Sequence, residues 1–183
     1  MTCIVGLVEN GKVYMGGDSA AACGLDVIVR GGDDTKIFKN DGVLMGYTTS
    51  FRMGQLLRYA LKVPKQPKKM KDYEYMCTRF VKAVQDCFDK HKYIKKGEDG
   101  DTRGGTFLVG YKGNLYTIYD DYQVAISQED FSACGCGTPF AMGAMLMLIH
   151  KNMSPKEKIT RALLTAEHFS GGVRGPFKVK SIK

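Results

Sequence analysis

The chain has 183 residues, of which 44% are hydrophobic and 25% charged, a composition typical of a globular protein with a buried core. No apolar run approaches the roughly 20 residues of a membrane-spanning helix, and the first residues lack the pattern of a signal peptide, so we expect a soluble, cytoplasmic protein. We expect a single domain over residues 1–183.

The six cysteines and three histidines show no metal-site spacing. Cys134-Gly135-Cys136 could be half of such a site, but no second half is visible, and a buried strand end is the better interpretation. Scattered cysteines fit reduced thiols in a cytosolic protein better than a disulfide framework. Phosphate-loop and dinucleotide patterns are also lacking, so the sequence predicts neither a metal nor an organic cofactor.

Much of the formal net charge of +8 comes from two lysine-rich runs, residues 62–71 and 91–96. Such a surface attracts nucleic acid or an acidic partner without specifying either. Neither run has interleaved aromatic platforms for stacking bases or a recognition-helix pattern. We therefore interpret both runs as solvated loops and regard nucleic acid as a disfavoured partner.

Strand patterns fill the first quarter of the chain. Asn10-Gly11 and Asp41-Gly42 are strong signals for tight hairpin turns between apolar, β-branched runs. A loop is predicted at residues 31–34. The pattern predicts an antiparallel meander with strands at residues 2–8, 12–18, 25–30, 36–39 and 43–48.

Helical spacing of apolar residues begins at Ser50, and Pro64 and Pro67 end this first helix. Asp72 is predicted to cap a longer second helix. Residues 97–105 form a predicted glycine-rich loop, and Ser154-Pro155 is a helix-start signal. The remaining predicted elements are strands at 106–111, 114–119, 122–126 and 131–136, helices at 139–150 and 154–169, and a closing strand at 177–182.

This order of elements predicts a layered α+β fold, because the helices come in pairs that are separated from the antiparallel strands. We predict a four-layer αββα sandwich in which two stacked sheets lie between two helical layers.

Thr2 follows the initiator methionine, and a small residue at this position permits removal of Met1 by methionine aminopeptidase. The chain would then begin with a residue carrying both a hydroxyl and a free α-amine. An α-amine has an ordinary pKa of about 7.7–8.0 and can take the proton of the hydroxyl, as in N-terminal-threonine catalysis. A Met-Thr start alone is a weak signal, so the prediction depends on the neighbours of Thr2.

Two charged residues complete the predicted site. Asp18 ends the second strand, and the register of the hairpin brings this strand end back beside Thr2. Lys36 begins a later apolar strand. If Asp18 holds it near the α-amine, its positive charge lowers the pKa of the amine and favours the neutral, basic form.

The sequence resembles proteasome β-subunits and the bacterial HslV peptidase over nearly its whole length, with proteasome-like proteins of bacteria and phages as the nearest type. The opening motifs are Thr2-Cys-Ile-Val, Gly16-Gly17-Asp18, Lys36 and Val43-Leu-Met-Gly46. Residues 133–137 resemble the Gly-Ser-Gly segment of the family. Residues 167–172 resemble its Asp-x-x-Ser-Gly-Gly segment.

The resemblance implies an N-terminal-nucleophile hydrolase of the threonine endopeptidase type. Thr2 would attack the scissile carbonyl, Lys36 would tune the amine, and Asp18 would hold Lys36. The resemblance also implies homo-oligomeric rings, a protein or peptide substrate, and an ATPase unfoldase as a candidate partner, with no membrane attachment.

Supporting roles follow from the same resemblance. Cys136, Glu167 and Ser170 would support the amine and a water. These residues depart from the family pattern at two positions, because Cys136 replaces serine with a weaker thiol donor and Glu167 replaces aspartate with a longer side chain.

The resemblance also assigns residues to substrate binding. Thr49 would supply the oxyanion-stabilising N–H where the family has glycine, and its side chain could crowd the site. Uncharged residues, Ala21, Tyr47 and Phe51, would line the main specificity pocket. An uncharged wall predicts cleavage after small or medium apolar residues.

Three alternatives stay open at this stage. An inactive ring-forming scaffold would keep the fold without the chemistry, although such a subunit has no reason to retain Thr2, Asp18 and Lys36. A cysteine hydrolase could use Cys136 and His168, but no third orienting group is evident. A nucleic-acid-binding protein could act through the basic runs.

Overall fold

The computed structural model describes residues 1–23, 26–96 and 102–183. The strands are β1 (Ile4–Glu9), β2 (Lys12–Gly17), β3 (Ala20–Cys23), β4 (Asp26–Val29), β5 (Ile37–Asn40), β6 (Val43–Tyr47), β7 (Lys95–Lys96), β8 (Thr102–Arg103), β9 (Phe107–Tyr111), β10 (Asn114–Ile118), β11 (Val124–Ile126), β12 (Phe131–Cys134) and β13 (Lys178–Ile182). The helices are α1 (Phe51–Tyr59), α2 (Asp72–Tyr75), α3 (Val81–Lys90), α4 (Thr138–Leu148) and α5 (Pro155–Phe169), and a π-helical segment (Met76–Phe80) joins α2 to α3.

Two antiparallel sheets form the centre of the fold. The first has the strand order β12-β1-β2-β13 and the second the order β11-β10-β9-β6-β5. Apolar side chains between them form one buried cluster: Ile4, Val13, Met15, Ile37, Leu44, Leu108, Leu115 and Cys134. Their burial away from water is the main force that holds the two sheets together.

Each sheet also buries its outer face against helices. Helices α4 and α5 cover the first sheet, where the side chains of Phe131, Met145 and Leu163 share one apolar cluster. Helix α1 and the segment from α2 to α3 cover the second sheet around Tyr47 and Phe88. The predicted four-layer αββα sandwich is therefore confirmed.

Hairpin turns set the position of the strand ends. Asn10 and Gly11 have φ values of 53° and 66°, and Asp41 and Gly42 have 43° and 79°. Positive φ at both central residues is the type I′ arrangement, whose twist matches that of the strands. In the first hairpin Ile4 lies opposite Gly17, which brings the residue after β2 to the start of β1.

Two of the three helix starts that the sequence predicts are found in the structure. The Ser50 and Ser154 side chains accept hydrogen bonds from Met53 N and Glu157 N, as N-caps should. The prediction that Asp72 caps a helix is wrong. Asp72 is the first helical residue, and its carboxylate accepts a hydrogen bond from Gln66 Nε2 at 2.8 Å instead.

The predicted meander also needs correction. The β1–β2 and β5–β6 hairpins belong to different sheets. Their strands are not hydrogen-bonded edge to edge, and instead their apolar faces pack against each other. Strand β4 pairs with the preceding β3 in a separate two-stranded ladder. The start of the predicted strand 25–30 lies outside the described residues.

Residues 97–101 of the predicted loop 97–105 also lie outside the described residues, whereas Thr102–Arg103 pair with Lys95–Lys96. None of the helices in the described part of the chain is long and apolar enough to cross a membrane.

Candidate active site

The candidate site lies at one end of the two stacked sheets. Thr2 precedes β1, Asp18 follows β2 in the same sheet, and Lys36 precedes β5 in the other sheet. All three are buried, with Thr2 4% exposed. Thr2 and Lys36 are 34 positions apart in sequence. They meet here because the stacked sheets bring the start of β1 next to the start of β5.

The Lys36 ammonium joins the other two residues. Its Nζ donates to Thr2 Oγ1 at 2.9 Å and to Asp18 Oδ1 at 2.8 Å. Burial lowers the pKa of Lys36 from 10.5, and the neighbouring Asp18 carboxylate opposes this effect. The predicted contact between Lys36 and Asp18 is therefore present in the structure.

Main-chain groups hold the Asp18 carboxylate in place. Its Oδ1 accepts a hydrogen bond from Cys3 N at 3.0 Å, and its Oδ2 accepts from Ala20 N at 3.0 Å and from Arg174 N at 3.5 Å. Hydrogen bonds from N–H groups to an ionised carboxylate are stronger than those between neutral groups. Asp18 is thus oriented independently of Lys36.

A second group of residues surrounds the nitrogen of Thr2. Thr2 N donates to Cys136 Sγ at 3.3 Å, and Cys136 Sγ lies 3.4 Å from Ser170 Oγ. Gly135, with φ 102°, permits this approach, because a Cβ there would lie 2.2 Å from the Thr2 carbonyl oxygen. The structure therefore brings Cys136 to the nitrogen that removal of Met1 would free, and Ser170 contacts Cys136 in turn.

Glu167 lies in a different position from the one its predicted role suggests. Its Oε1 accepts a hydrogen bond from Gly175 N at 2.8 Å, and within the described residues it has no polar contact with Thr2 or Ser170. Glu167 instead holds the turn that follows α5.

Ser19, which the sequence analysis missed, holds the same turn. Its Oγ donates to Pro176 O at 2.6 Å and its N–H donates to Arg174 O at 2.8 Å. The position of Ser19 directly after Gly-Gly-Asp is the signal that could have identified it.

A small recess adjoins Thr2. It is lined by Met1, Thr2, Lys36, Tyr47, Thr48, Thr49, Ser50 and Phe51, and with Met1 in place its volume is about 20 Å³. A space of this size holds about one water molecule. Of the residues assigned to substrate binding, Tyr47 and Phe51 line this recess, whereas Ala21 is not part of its wall.

Thr49 lines the recess with an unusual backbone conformation. The φ of Thr49 is 66°. The residues on either side of it are joined by a hydrogen bond from Ser50 N to Thr48 O at 2.7 Å, and Thr49 N–H has no protein partner in the described part of the chain. A β-branched residue at positive φ is strained. Thr49 N–H is therefore free to donate to a ligand in the recess.

Arg30 is a second residue that the sequence analysis missed. Its guanidinium lies 3.8 Å from the centre of the Phe51 ring and forms an ion pair with Asp34 at 2.5 Å. A cation thus borders the pocket wall, which was predicted from the sequence to be uncharged. No local sequence pattern indicates this contact, because it depends on how β4 lies against α1.

The nearby cysteines differ in their access to solvent. Burial raises the pKa of Cys3 to about 12 and also raises the pKa of Cys134, so both thiols stay protonated. Cys136 is exposed, but its polar contacts are with Thr2 and Ser170. The His168 ring packs against Phe169 instead, so a Cys136–His168 pair is not formed.

Met1 covers the candidate site. Its side chain is 58% exposed and lies beside Gly172, and its carbonyl oxygen accepts a hydrogen bond from Thr2 Oγ1. While Met1 is present, the nitrogen of Thr2 belongs to a peptide bond. No group of three or more potential metal ligands occurs within residues 1–23, 26–96 and 102–183.

Two stacked antiparallel sheets thus lie between helical layers, and a threonine precedes the first strand. Among solved structures, the chain is similar to Thiobacillus denitrificans BPH in complex with epoxomicin, with a TM-score of 0.80 and 15% identity over 100% of this chain and 98% of that chain. A second Thiobacillus denitrificans BPH structure gives a TM-score of 0.79 at the same identity and coverage.

Eukaryotic HslV from Trypanosoma brucei is also similar, with a TM-score of 0.69 and 17% identity over 100% of this chain and 99% of that chain. No protein-family model and no curated protein matches the chain. The resemblance to the HslV and proteasome type that the sequence motifs indicated is therefore confirmed at the level of the fold.

Proposed function

We propose that this protein is a cytoplasmic threonine-type endopeptidase that uses Thr2 as its nucleophile after removal of Met1. The observation that carries the proposal is the Lys36 ammonium, which donates to Thr2 Oγ1 and to the buried Asp18 carboxylate. A buried cation is costly unless it is paired. Its place beside a hydroxyl at the start of the chain is explained by catalysis more readily than by stability.

In the proposed mechanism the free α-amine of Thr2 takes the proton of the hydroxyl, directly or through a water. Oγ1 attacks the carbonyl carbon of the scissile bond, and the resulting oxyanion accepts a hydrogen bond from Thr49 N–H. The intermediate collapses when the amine product leaves with the proton, and an ester on Thr2 remains. Water then hydrolyses this ester and regenerates the hydroxyl.

The surrounding residues assist these steps. The positive charge of Lys36 lowers the pKa of the α-amine and stabilises negative charge that develops on Oγ1. Cys136 orients the amine, and Ser170 holds the Cys136 thiol. Glu167 acts at a distance, because it holds the turn that begins at Ser170.

Replacement of Thr2 tests the proposal. We expect Thr2→Ala to lower the turnover of fluorogenic peptides by roughly a thousandfold or more, and Thr2→Ser, which keeps a hydroxyl, to retain more activity. Circular dichroism should show an unchanged fold, and Thr160→Ala on the surface of α5 serves as the control. Undiminished turnover by Thr2→Ala would rule out the mechanism.

Epoxomicin is a probe for the same site. A structure of one of the similar proteins is a complex with this compound, and we propose that it also binds here beside Thr2 once removal of Met1 has opened the recess. Binding should raise the melting temperature of the protein and inhibit peptide turnover. A melting temperature that is unchanged at saturating epoxomicin would contradict this part of the proposal.

We further propose that the protein cleaves after apolar residues. Tyr47 and Phe51 line the recess, and Arg30 beside Phe51 disfavours a basic substrate side chain. Differences of one methylene are worth only about 1–3 kcal/mol in such pockets, so the preference should be graded. A peptide library varied at the residue before the cut tests this, and dominant cleavage after Arg or Lys would contradict it.

We also propose that the protein assembles into homo-oligomeric rings. Large apolar side chains are exposed on α4 and α5, including Met147 at 71% and Phe169 at 63%. Such a patch marks an interaction surface. Light scattering should give a mass several times that of the chain, and a monomer at micromolar concentration would overturn the proposal.

An ATPase unfoldase that supplies unfolded substrate to the ring is a further candidate partner. If such a partner acts, folded proteins should be degraded only when it and ATP are present, while short peptides are cleaved without either.

An inactive ring-forming scaffold is the second candidate function, and one observation favours it. Glu167, which the resemblance assigns to the support of the amine, instead accepts a hydrogen bond from Gly175 N at 2.8 Å. If Met1 stays in place in the cell, the same fold can assemble without peptidase activity. An intact mass of protein isolated from cells distinguishes the two functions.

A further inference from the structure

The segment between α1 and α2 carries an exposed concentration of positive charge. We call residues 62–71 the lysine segment. Five of its ten residues are exposed lysines: Lys62, Lys65, Lys68, Lys69 and Lys71. Within the described part of the chain none of these ammonium groups has an ion-pair partner, so their charge faces solvent alone.

The backbone of the lysine segment is nevertheless held firmly. Val63 and Met70 pack against the apolar cluster around α1 and α3. The Pro64 carbonyl oxygen accepts a hydrogen bond from Tyr75 OH at 2.6 Å, and Met70 N donates to Pro67 O at 3.0 Å. The lysines therefore extend from a fixed support and not from a free loop.

Gln66 forms the strongest anchor of this support. Its Nε2 donates to Met70 O at 2.7 Å and to Asp72 Oδ1 at 2.8 Å. Its Oε1 accepts hydrogen bonds from Tyr111 OH at 3.0 Å and from Lys112 Nζ at 2.6 Å. The side-chain amide thus has four partners and fixes the middle of the segment to β9 and to the start of α2.

Charge neutralisation near the segment is slight. The Asp72 carboxylate accepts a hydrogen bond from Gln66 and forms an ion pair with Lys112 at 3.5 Å, not with a lysine of the segment. Like charges held close together repel one another, and a bound anion relieves that repulsion. A fixed backbone also reduces the entropy lost on binding. The lysine segment is therefore preorganised for a ligand with several negative charges.

We propose that the lysine segment is a docking surface for an extended, acidic segment of a partner protein. The segment contains no aromatic residue on which the bases of a nucleic acid could stack. Its lysines provide compact point charges that complement a row of carboxylates. This inference is independent of the proposed chemistry at Thr2.

Fluorescence anisotropy with a labelled polyglutamate peptide of about ten residues tests the proposal at low and at physiological ionic strength. We expect the triple variant Lys65→Gln, Lys68→Gln, Lys69→Gln to bind at least about tenfold more weakly than the unaltered protein. The matched control is Lys151→Gln, Lys156→Gln, Lys178→Gln, which removes the same charge from exposed lysines elsewhere.

Specific loss in the first variant, with the control unchanged, would support the docking surface. Equal loss in both variants would show that net charge alone attracts the peptide and would overturn the proposal. No measurable binding at low salt would overturn it as well. Tighter binding of a single-stranded oligonucleotide of equal charge, lost in the same variant, would assign the surface to nucleic acid and refute an acidic protein partner.

Discussion

The Lys36 ammonium lies 2.8 Å from the Asp18 carboxylate, and the two side chains, 3% and 0% exposed, join the two sheets beside Thr2. Burying two charges costs several kcal/mol, which their attraction offsets only when geometry and additional hydrogen bonds are good. Cys3 N and Ala20 N supply such bonds to Asp18. We therefore regard the pair as a device that places a cation at Thr2.

The first prediction concerns the stability of this pair. Asp18→Ala should lower the free energy of unfolding by about 3–5 kcal/mol, because it leaves the buried charge of Lys36 without a carboxylate to neutralise it. Urea denaturation measures the change. Asp86→Ala is the control, because the Lys82–Asp86 pair is 68% and 62% exposed and water screens it, so its loss should change stability far less. Equal effects of the two changes would contradict this account.

The second prediction is a bell-shaped dependence of peptide turnover on pH. Turnover should rise as the α-amine of Thr2 loses its proton and fall as Lys36 loses its own. Because burial lowers the pKa of Lys36, the alkaline limb should lie below 10.5. In Lys36→Arg the cation does not titrate in this range, so the alkaline limb should disappear from whatever activity remains.

The same pKa shift affects stability. In the window between the lowered pKa of Lys36 and 10.5, the folded state binds fewer protons than the unfolded state, so stability should rise with pH. Lys36→Met should remove this rise. For the pH dependence of turnover, an alkaline limb that survives in Lys36→Arg would show that a group other than Lys36 causes it.

The third prediction concerns the thiol beside Thr2. Cys136→Ser should raise kcat/KM several-fold, because a hydroxyl is a better donor and acceptor than a thiol for the amine and for Ser170. Cys136→Ala should lower it. Cys77→Ser, at an exposed cysteine on the π-helical segment, should have no effect. A serine variant as impaired as the alanine variant would show that Cys136 has another role.

The fourth prediction concerns the strained residue in the recess. Thr49→Gly should raise the free energy of unfolding by about 1 kcal/mol, since glycine adopts a φ of 66° without strain. It should also raise turnover by opening the recess. Thr48→Gly is the control and should destabilise, because Thr48 Oγ1 donates to Thr106 O at 2.9 Å. Loss of stability in Thr49→Gly would contradict the inferred strain.

Local sequence signals predicted much of the fold. Asn10-Gly11 set the register that returns Asp18 to the start of β1, and Ser50 and Ser154 marked helix starts. These signals work because turn conformation and capping depend on neighbouring residues. The layer order followed from the grouping of strands and helices.

Contacts between distant elements were not visible in the sequence. The stacking of Arg30 on Phe51 depends on where β4 lies against α1, and the bond from Glu167 to Gly175 depends on how the chain turns after α5. The predicted meander failed for the same reason, since local pattern does not reveal which sheet a hairpin joins. The local pattern around Lys36 left its place beside Asp18 conditional, and the family resemblance was what assigned it to the site.

The central claim is that the hydroxyl and the free α-amine of Thr2 form the catalytic unit. The most direct test compares the peptide turnover of two preparations whose intact masses prove that one begins at Thr2 and the other retains Met1. We predict that only the chain that begins at Thr2 hydrolyses peptides, because Met1 removes the basic amine and covers the recess. Equal turnover by the Met1-retaining chain would contradict the account.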